Sequence, residues 1–337
     1  MSIDKVYQSI LYLPDQIRQV IHDVGALKIP DSYLKISNIV ISGMGGSLYN
    51  YHVINSLFKR KLVVPIYMTN NYDIPLFIND DTLFIGSSYS GSTEEVISAT
   101  SAASIKNAKI ITISSGGDLA QLGQAKKAFV YRFSTEFNPS GQPRLGLGYM
   151  IFSTISILIK LSLIKTDLSQ LESHLTMLGN QNKDIESAAQ DIVDKINDQM
   201  VVLIAADHLS GNVHIFRNQL NETAKTFSEY HLVPELNHHL IEGLKFPQNK
   251  KLIFLIFESD KYLEKNQKRI TITKKLLEMQ SIPFLCIKAP SGVDEMGQFL
   301  YLLQLNSFIS YYLSKYYQVD PIAIPWVNYF KKELQSS

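Results

Sequence analysis

The stretch Ile39-Val-Ile-Ser-Gly-Met-Gly-Gly-Ser47 passes from an apolar run into a glycine-rich turn, and residues 48–59 continue with helical patterning. The same order returns at Thr82-Leu-Phe-Ile-Gly-Ser-Ser-Tyr-Ser-Gly-Ser-Thr93. An acidic pair, Glu94 and Glu95, follows there and suits the positive end of the next helix. Strands that alternate with helices predict a parallel sheet with helices on both faces. We therefore expect an α/β fold of the doubly wound kind.

The second half of the chain repeats this order. Apolar runs at residues 201–205, 251–257 and 283–287 each lead into a turn, and the first two turns lead into helical stretches. Two such halves in one chain indicate a duplicated doubly wound domain with parallel sheets. The expected boundaries are residues 1–162 for the first domain, 163–312 for the second and 313–337 for a C-terminal helical tail.

The segment 145–164 imitates a membrane span. It contains Lys160 and several Ser, Thr and Gly interruptions, and no second segment pairs with it. We interpret it as a helix buried in a large core. The polar and helically patterned region 166–199 is predicted to link the two halves.

The charge balance argues against two classes of partner. Lys and Arg number 32 against 31 Asp and Glu, which leaves no basic footprint for nucleic acid or for an anionic membrane surface. The one cysteine, Cys286, lies in an apolar run and is predicted to be a buried strand residue. The lone cysteine and the lack of a signal-peptide pattern favour a cytoplasmic protein.

Four hydroxyls, at Ser88, Ser90, Ser92 and Thr93, crowd one helix start, which is more than a helix cap requires. The turn from Gly43 to Ser47 adds glycines that let a ligand approach the backbone at a second helix start. Hydroxyls and amides together bind a phosphate monoester without a neighbouring lysine or arginine. The glycine turn lacks the third glycine of a dinucleotide fingerprint and the Gly-Lys-Ser/Thr of a Walker loop.

The glycine turn and the loop Ser88-Tyr-Ser-Gly-Ser-Thr-Glu-Glu95 together resemble the sugar isomerase (SIS) domain. Three further motifs narrow the resemblance: Gln142-Pro-Arg144, Asn221-Glu-Thr-Ala-Lys225 and Pro234-Glu-Leu-Asn-His238. Their order and spacing are similar to those of the bifunctional phosphoglucose/phosphomannose isomerases. The resemblance covers nearly the whole chain and implies two SIS-type domains.

The resemblance implies an aldose–ketose isomerase that interconverts glucose 6-phosphate and mannose 6-phosphate with fructose 6-phosphate through a cis-enediol. It implies no metal and no organic cofactor. The substrate phosphate would be held by hydroxyl and backbone groups of the two loops: Gly46, Ser47, Ser88, Ser90 and Thr93. Ser92 departs from the family, which usually has asparagine there. Serine keeps the turn but changes one hydrogen-bond partner.

Isomerisation needs a base that moves a proton between C2 and C1. Glu222, late on a helix with one apolar face, is our choice for this base. The residues alone fit a solvated surface glutamate equally well, and the resemblance favours the catalytic role. Glu235 is the alternative base, although it follows Pro234 and fits a role in ordering the loop.

His238 is our choice for opening the sugar ring, because it lies among polar residues on a predicted loop. His239 follows it directly, where the family has asparagine. Tandem histidines also suggest metal binding, but no cysteine and no His-x-x-x-His spacing accompanies them, so we expect no metal.

Arg144 carries a permanent charge suited to an enediolate, although a loop arginine that binds carbonyls fits as well. In the tail, Lys331 or Lys332 resembles a family lysine that reaches substrate oxygens, and we favour Lys331. The family also implies a homodimer in which His238 crosses to the partner's site. The alternatives are an isomerase for a single hexose phosphate or an amino-sugar phosphate, and a non-catalytic sugar-phosphate sensor.

Overall fold

The computed structural model describes residues 4–335. Residues 1–3 and 336–337, at the ends of the expected first domain and tail, lie outside the described residues. The first half contains a parallel sheet in the order β2-β1-β3-β4-β5. Its strands are β1 (Asn38–Ser42), β2 (Ile66–Thr69), β3 (Thr82–Ser87), β4 (Lys109–Ser114) and β5 (Phe129–Arg132).

Helices cover both faces of this sheet, as its apolar strands require. Every residue of the central strand β3 is buried. The helices of this half are α1 (Lys5–Leu11), α2 (Leu13–Ala26), α3 (Tyr49–Leu57), α4 (Glu94–Ile105), α5 (Gly117–Ala125) and α6 (Leu147–Lys160).

The second half repeats the topology with fewer strands. Its parallel sheet has the order β7-β6-β8-β9, which matches β2-β1-β3-β4 of the first sheet. The elements are α7 (Leu171–Ile196), β6 (Met200–Ala205), α8 (Ser210–Glu222), β7 (Ser228–Leu232), β8 (Leu252–Glu258), α9 (Glu264–Met279), β9 (Phe284–Lys288), α10 (Glu295–Tyr316) and α11 (Pro325–Gln335). The predicted duplicated α/β architecture with parallel sheets and a C-terminal helix is confirmed.

Helix α6 is apolar on all sides, and its residues 147–158 are buried. This agrees with the prediction of a core helix in segment 145–164. Among residues 4–335, no helix has both the length and the apolar character needed to cross a bilayer. The polar region 166–199 forms α7, which packs against α10. Helix α10 runs to Tyr316 and so crosses the boundary expected between residues 312 and 313.

Helices α3 and α8 join the two halves of the molecule. Gly211, at the start of α8, makes their close approach possible. A Cβ atom added there would lie 3.1 Å from the Cα of Val53 and 3.2 Å from the carbonyl oxygen of His52. This contact fixes the start of α8 against the middle of α3.

Cys286 lies in strand β9, as predicted, but it is only partly buried. The expectation of full burial was wrong because β9 is an edge strand of the second sheet, with one side uncovered by a neighbouring strand. Burial raises the pKa of its thiol, which is thus protonated at neutral pH.

Two imidazoles stack at the contact between α3 and α8. The ring centroids of His52 and His214 are 3.5 Å apart, and Arg217 lies near both rings. Burial and then the charge of Arg217 lower the pKa of His52 to about 4. Burial, followed by His52 and Arg217, lowers the pKa of His214 to about 3. Both histidines are therefore neutral in the folded protein and free to protonate in the unfolded chain.

We predict that His214→Phe reduces the loss of stability in acid. Because the folded pKa values lie below the unfolded value of about 6.5, the unfolded chain binds more protons as the pH falls below 6.5. Stability is thus full above this value and decreases towards pH 4, by on the order of 1 kcal/mol per histidine. Urea unfolding between about pH 7 and pH 5 measures this slope. His22→Phe, at an exposed position, is the control, and an unchanged slope in His214→Phe would contradict the prediction.

Candidate active site

The two loops predicted to bind phosphate meet at the carboxyl ends of β1 and β3. The Ser47 hydroxyl accepts a hydrogen bond of 2.9 Å from the backbone N–H of Tyr89. The chain connects β1 to β2 on one side of the sheet and β3 to β4 on the other, so β1 and β3 flank the topological switch point. Ligands of open parallel sheets bind in the crevice at this point. The two loops thus share the crevice, and their phosphate-binding role stays a prediction.

The hydroxyls of the second loop bind each other. Ser88 Oγ lies 2.8 Å from Thr93 Oγ1, and Ser90 Oγ lies 2.9 Å from Ser92 Oγ. The backbone N–H of Gly91 donates to Ser88 Oγ at 3.1 Å. Hydroxyl rotors can redirect their protons to an anion that enters the loop. The cluster is therefore a set of donors already placed within one short turn.

The helices that begin at these loops have no side-chain cap. Thr93 is the N-cap residue of α4, and Leu48 is the N-cap residue of α3. Neither side chain accepts a hydrogen bond from its helix. At α3 the N–H groups of Tyr49 and Tyr51 already donate to Gly46 and Asn50, so the first-turn amides of α4 are the ones available to a ligand. The start of α4 thus produces a positive potential in the crevice without a basic side chain.

Gly46 lies against the backbone of the arginine loop. A Cβ atom at Gly46 would lie 3.4 Å from the backbone nitrogen of Arg144 and 3.4 Å from the carbonyl carbon of Pro143. Because Gly46 has no side chain, the glycine turn can approach the loop that carries Arg144. Its contribution to phosphate binding stays a prediction.

Gln16, fully buried on α2, holds the loop that carries Arg144. Its amide nitrogen donates to the carbonyl oxygens of Phe137 (3.0 Å) and Leu145 (2.9 Å), and its amide oxygen accepts from the N–H of Gly148 at 2.9 Å. One side chain thus satisfies three backbone groups at the two ends of an irregular segment.

Asn138 links this loop to the hydroxyl loop. Its side-chain nitrogen donates to the hydroxyl of Tyr89 at 2.7 Å and to the carbonyl oxygen of Gln142 at 2.9 Å. The backbone N–H of Tyr89 in turn donates to Ser47. A continuous set of buried hydrogen bonds therefore connects the predicted phosphate loops to the segment before Arg144.

Arg144 is 1% exposed, and each of its five N–H groups has an acceptor. The acceptors are Thr223 Oγ1 for Nε (3.1 Å), Gln142 Oε1 (2.9 Å) and Glu222 Oε2 (3.3 Å) for Nη1, and the carbonyl oxygens of Pro321 (2.5 Å) and Ile322 (3.1 Å) for Nη2. They come from both halves and the tail. The sequence left open whether Arg144 faces a reacting anion or binds carbonyls, and here it binds two carbonyls and a carboxylate.

Glu222 lies in the last turn of α8 and forms an ion pair with Arg144. Its side chain is 33% exposed, so one part of the carboxylate contacts the guanidinium while the other faces solvent. Burial lowers the pKa of Arg144 and the charge of Glu222 opposes this shift. An arginine remains a cation at neutral pH under these conditions. The pair is thus a fixed positive charge beside an accessible carboxylate.

Lys225 binds the same tail segment as Arg144. Its ammonium donates to the carbonyl oxygen of Glu222 and to that of Ala323, the latter at 2.5 Å. Together with Pro321 and Ile322, Ala323 completes three successive carbonyls that face two cations.

His238 lies apart from this pair. It is exposed at the end of the 3-10 turn Glu235–His238. In the part of the chain that the structure describes, no hydrogen bond or ion pair joins it to Glu222 or Arg144. Glu235, the alternative base, instead pairs with His239, whose Nε2 lies 2.9 Å from Glu235 Oε1. Glu235 and His239 thus form a contact at the surface of one chain.

Lys331 and Lys332 lie on α11, and both are exposed. No described hydrogen bond connects Lys331 to Glu222 or Arg144, so its predicted contact with substrate stays a prediction. Large apolar side chains of this helix are also exposed, among them Trp326 at 83%.

The corresponding loops of the second sheet contain carboxylates beside the hydroxyls of Ser210 and Ser259. Asp207 follows β6 and accepts hydrogen bonds from the N–H of Leu263 (2.9 Å) and the side chain of Asn266 (2.8 Å). Asp260 follows β8 and accepts from Gln298 at 2.6 Å. Negative charges and internal partners make this second crevice unsuitable for a phosphate.

Sequence analysis missed three partners of the site. Thr223 and Gln142 orient Arg144, and Lys225 binds the tail. The sequence indicated these three residues in part, because each lies within a quoted motif or directly beside a predicted catalytic residue. The tail carbonyls carried no signal, since every residue has one.

A family model described as the bacterial phospho-glucose isomerase C-terminal SIS domain matches residues 185–334. A bifunctional phosphoglucose/phosphomannose isomerase from Thermoplasma volcanium is 31% identical, over 89% of this chain and 92% of the relative. Another from Caldicellulosiruptor bescii is 26% identical over 98% of both chains.

Among solved structures, the tagatose-6-phosphate ketose/aldose isomerase from Escherichia coli superposes with a TM-score of 0.69 at 12% identity, covering 95% of each chain. This similarity supports the fold. With the relatives above, it confirms the resemblance that the motifs indicated. The chain is an isomerase with two SIS-type domains, and it belongs to the bifunctional phosphoglucose/phosphomannose isomerase family.

Proposed function

We propose that this chain interconverts glucose 6-phosphate and mannose 6-phosphate with fructose 6-phosphate. The observation that carries the proposal is the pair of Arg144 and Glu222, 3.3 Å apart, beside the hydroxyl loops at the switch point. An anion site next to an accessible carboxylate and a fixed cation is what proton transfer within a sugar phosphate requires. Relatives with this activity align over most of the chain.

In this proposal the phosphate binds to Ser47, Ser88, Ser90 and Thr93 and to the amides at the start of α4. It exchanges the hydroxyl–hydroxyl bonds within the loop for charge-assisted bonds to its oxygens, which are stronger. Gly46 supplies close backbone approach. The anchored phosphate leaves the other end of the sugar free to reach α8.

Glu222 then takes the proton from C2 of the open-chain aldose, which leaves an enediolate. The hydroxyl proton passes from O2 to O1, and Glu222 returns its proton to C1 to give the ketose; the reverse path forms the aldose. Protonation of C2 on either face of the cis-enediol yields the glucose or the mannose epimer. Arg144 opposes the negative charge that develops on the enediolate oxygens. Since its five N–H groups have acceptors, it acts as a fixed charge in a region of low dielectric.

Ring opening is assigned to His238 from a second copy of the chain. Its exposure, and the lack of a described hydrogen bond or ion pair to Glu222 or Arg144, fit a group that serves a neighbouring subunit. The proposal is therefore a homodimer with shared active sites. Lys331 on α11 is assigned to a contact with the substrate oxygens.

Hexose phosphates are charged and do not cross membranes unaided. We therefore assign the enzyme to the cytoplasm and to glycolysis and gluconeogenesis, without nucleic-acid or membrane partners.

We predict that Glu222→Gln lowers kcat by about a hundredfold or more with little change in KM, because glutamine keeps an oxygen for Arg144 but cannot take a proton. Coupled assays with each hexose phosphate measure this. The control is Glu229→Gln, which removes an exposed carboxylate paired with Arg217 at 3.6 Å. Full turnover in Glu222→Gln would contradict the assignment, and a sensor would keep its ligand response in both variants.

We predict that Ser88→Ala and Thr93→Val each raise KM for fructose 6-phosphate by about tenfold, since each removes a charge-assisted hydrogen bond to the phosphate. Inhibition by inorganic phosphate should weaken in parallel. Ser98→Ala, which removes an exposed hydroxyl bound to the carbonyl of Tyr72, is the control. Equal KM values for Ser88→Ala and the wild type would place the phosphate elsewhere.

We predict that mixing His238→Ala with Glu222→Gln restores activity. Mixed dimers have one site with both residues intact, so randomly assorted dimers regain about a quarter of the wild-type activity. Co-expression with two tags allows the mixed dimer to be isolated and assayed. If the isolated mixed dimer is inactive, His238 serves its own chain and the shared site is wrong.

A further inference from the structure

The tail crosses the active-site arginine at residues 320–323. Three successive carbonyl oxygens, of Pro321, Ile322 and Ala323, accept hydrogen bonds from the cations of Arg144 and Lys225. Asp320 braces this segment, because its Oδ1 accepts from the N–H of Ile322 at 2.7 Å. Beyond it, the residues of α11 from 325 to 334 are exposed. The segment 320–323, which we term the tail root, therefore connects α11 to the body of the enzyme.

Lys225 occupies an unusual position for a lysine. It follows the end of α8 with a backbone φ of +54°, a conformation that favours glycine or asparagine after a helix. Its ammonium reaches both the carbonyl of Glu222, in the last turn of α8, and that of Ala323 in the tail root. Because Lys127 shares this φ, the two hydrogen bonds of the ammonium, rather than the backbone conformation, indicate a role for Lys225.

The charge of Lys225 also affects Arg144. Burial and the neighbouring charge of Arg144 lower the pKa of Lys225, so the two cations repel each other unless acceptors lie between them. The tail-root carbonyls are those acceptors. Without them, two N–H groups of a buried guanidinium would lose their partners, and the guanidinium would no longer have a defined orientation towards Glu222.

We propose that Lys225 is a positioning residue for the isomerase reaction, because it fastens the tail root across Arg144 and so orients both the guanidinium and α11. It touches neither the phosphate loops nor the carboxylate oxygens of Glu222. Its removal therefore affects turnover and leaves phosphate binding intact. The kinetic part of this inference rests on the proposed function, whereas the structural part, the fastening of residues 320–335, does not.

The test compares Lys225→Met with Lys127→Met. Lys127 has the same φ of +54° after helix α5 and an exposed side chain, and it lies outside the tail contact. We expect hydrogen exchange of residues 318–335 to be about tenfold faster in Lys225→Met, as for the loss of hydrogen bonds to a charged group. Exchange in Lys127→Met should equal that of the wild type. Unchanged tail exchange in Lys225→Met overturns the proposal.

Kinetics separate a positioning role from a capping role. We expect kcat of Lys225→Met to fall by about tenfold while KM and the inhibition constant of inorganic phosphate stay constant, and Lys225→Arg to recover part of kcat. A capping role alone would lower thermal stability without the change in tail exchange, and that result overturns the proposal. If the wild type isomerises no hexose phosphate, the proposed function fails and the exchange experiment still decides the fastening.

Asp320→Ala provides a second variant, on the tail side, in case Lys225→Met does not fold. It removes the brace of the tail root and leaves α8 untouched. We expect the same acceleration of exchange in residues 318–335. In a double variant with Lys225→Met the two effects should be less than additive, because both act on one segment. Full additivity would mean that Lys225 and the tail root act independently, which contradicts the proposal.

Discussion

A buried guanidinium is the constraint on which this structure depends. A charge of this size is tolerated inside a protein only where each of its N–H groups has an acceptor. Arg144 meets this condition with acceptors from its own loop, from the end of α8 and from the tail. Because these acceptors come from three parts of the chain, neither half can move relative to the other without leaving buried donors unpaired.

The site divides its electrostatic tasks between two chemistries. The loops after β1 and β3 offer neutral donors, namely hydroxyls and helix-start amides. The buried cation, Arg144, lies instead beside the carboxylate of Glu222. A lysine among the hydroxyls would bind phosphate more strongly, but it would also compete with Arg144 for Glu222. Neutral donors avoid this competition and leave the pair of Arg144 and Glu222 intact for the role that we propose for it.

The sequence was sufficient for local features and for contacts that motifs encode. The run 39–47 predicted strand, turn and helix because periodicity and glycines act locally. Motifs marked Arg144 and Glu222 as candidates, and the structure brings the two side chains together. The partners of Arg144 in the tail were beyond prediction, since a backbone carbonyl has no signature in sequence. Cys286 was predicted buried because an apolar run does not distinguish an edge strand from a central one.

The carboxylates that follow β6 and β8 have a consequence for the duplicated architecture. Asp207 and Asp260 make the second crevice repel anions, so the two halves do not act as two equal binding units. In the proposed function, one half of the duplication binds the phosphate and the other carries the reactive carboxyl group. If the proposed site is correct, each polypeptide binds one sugar, and any cooperativity arises between chains rather than within one.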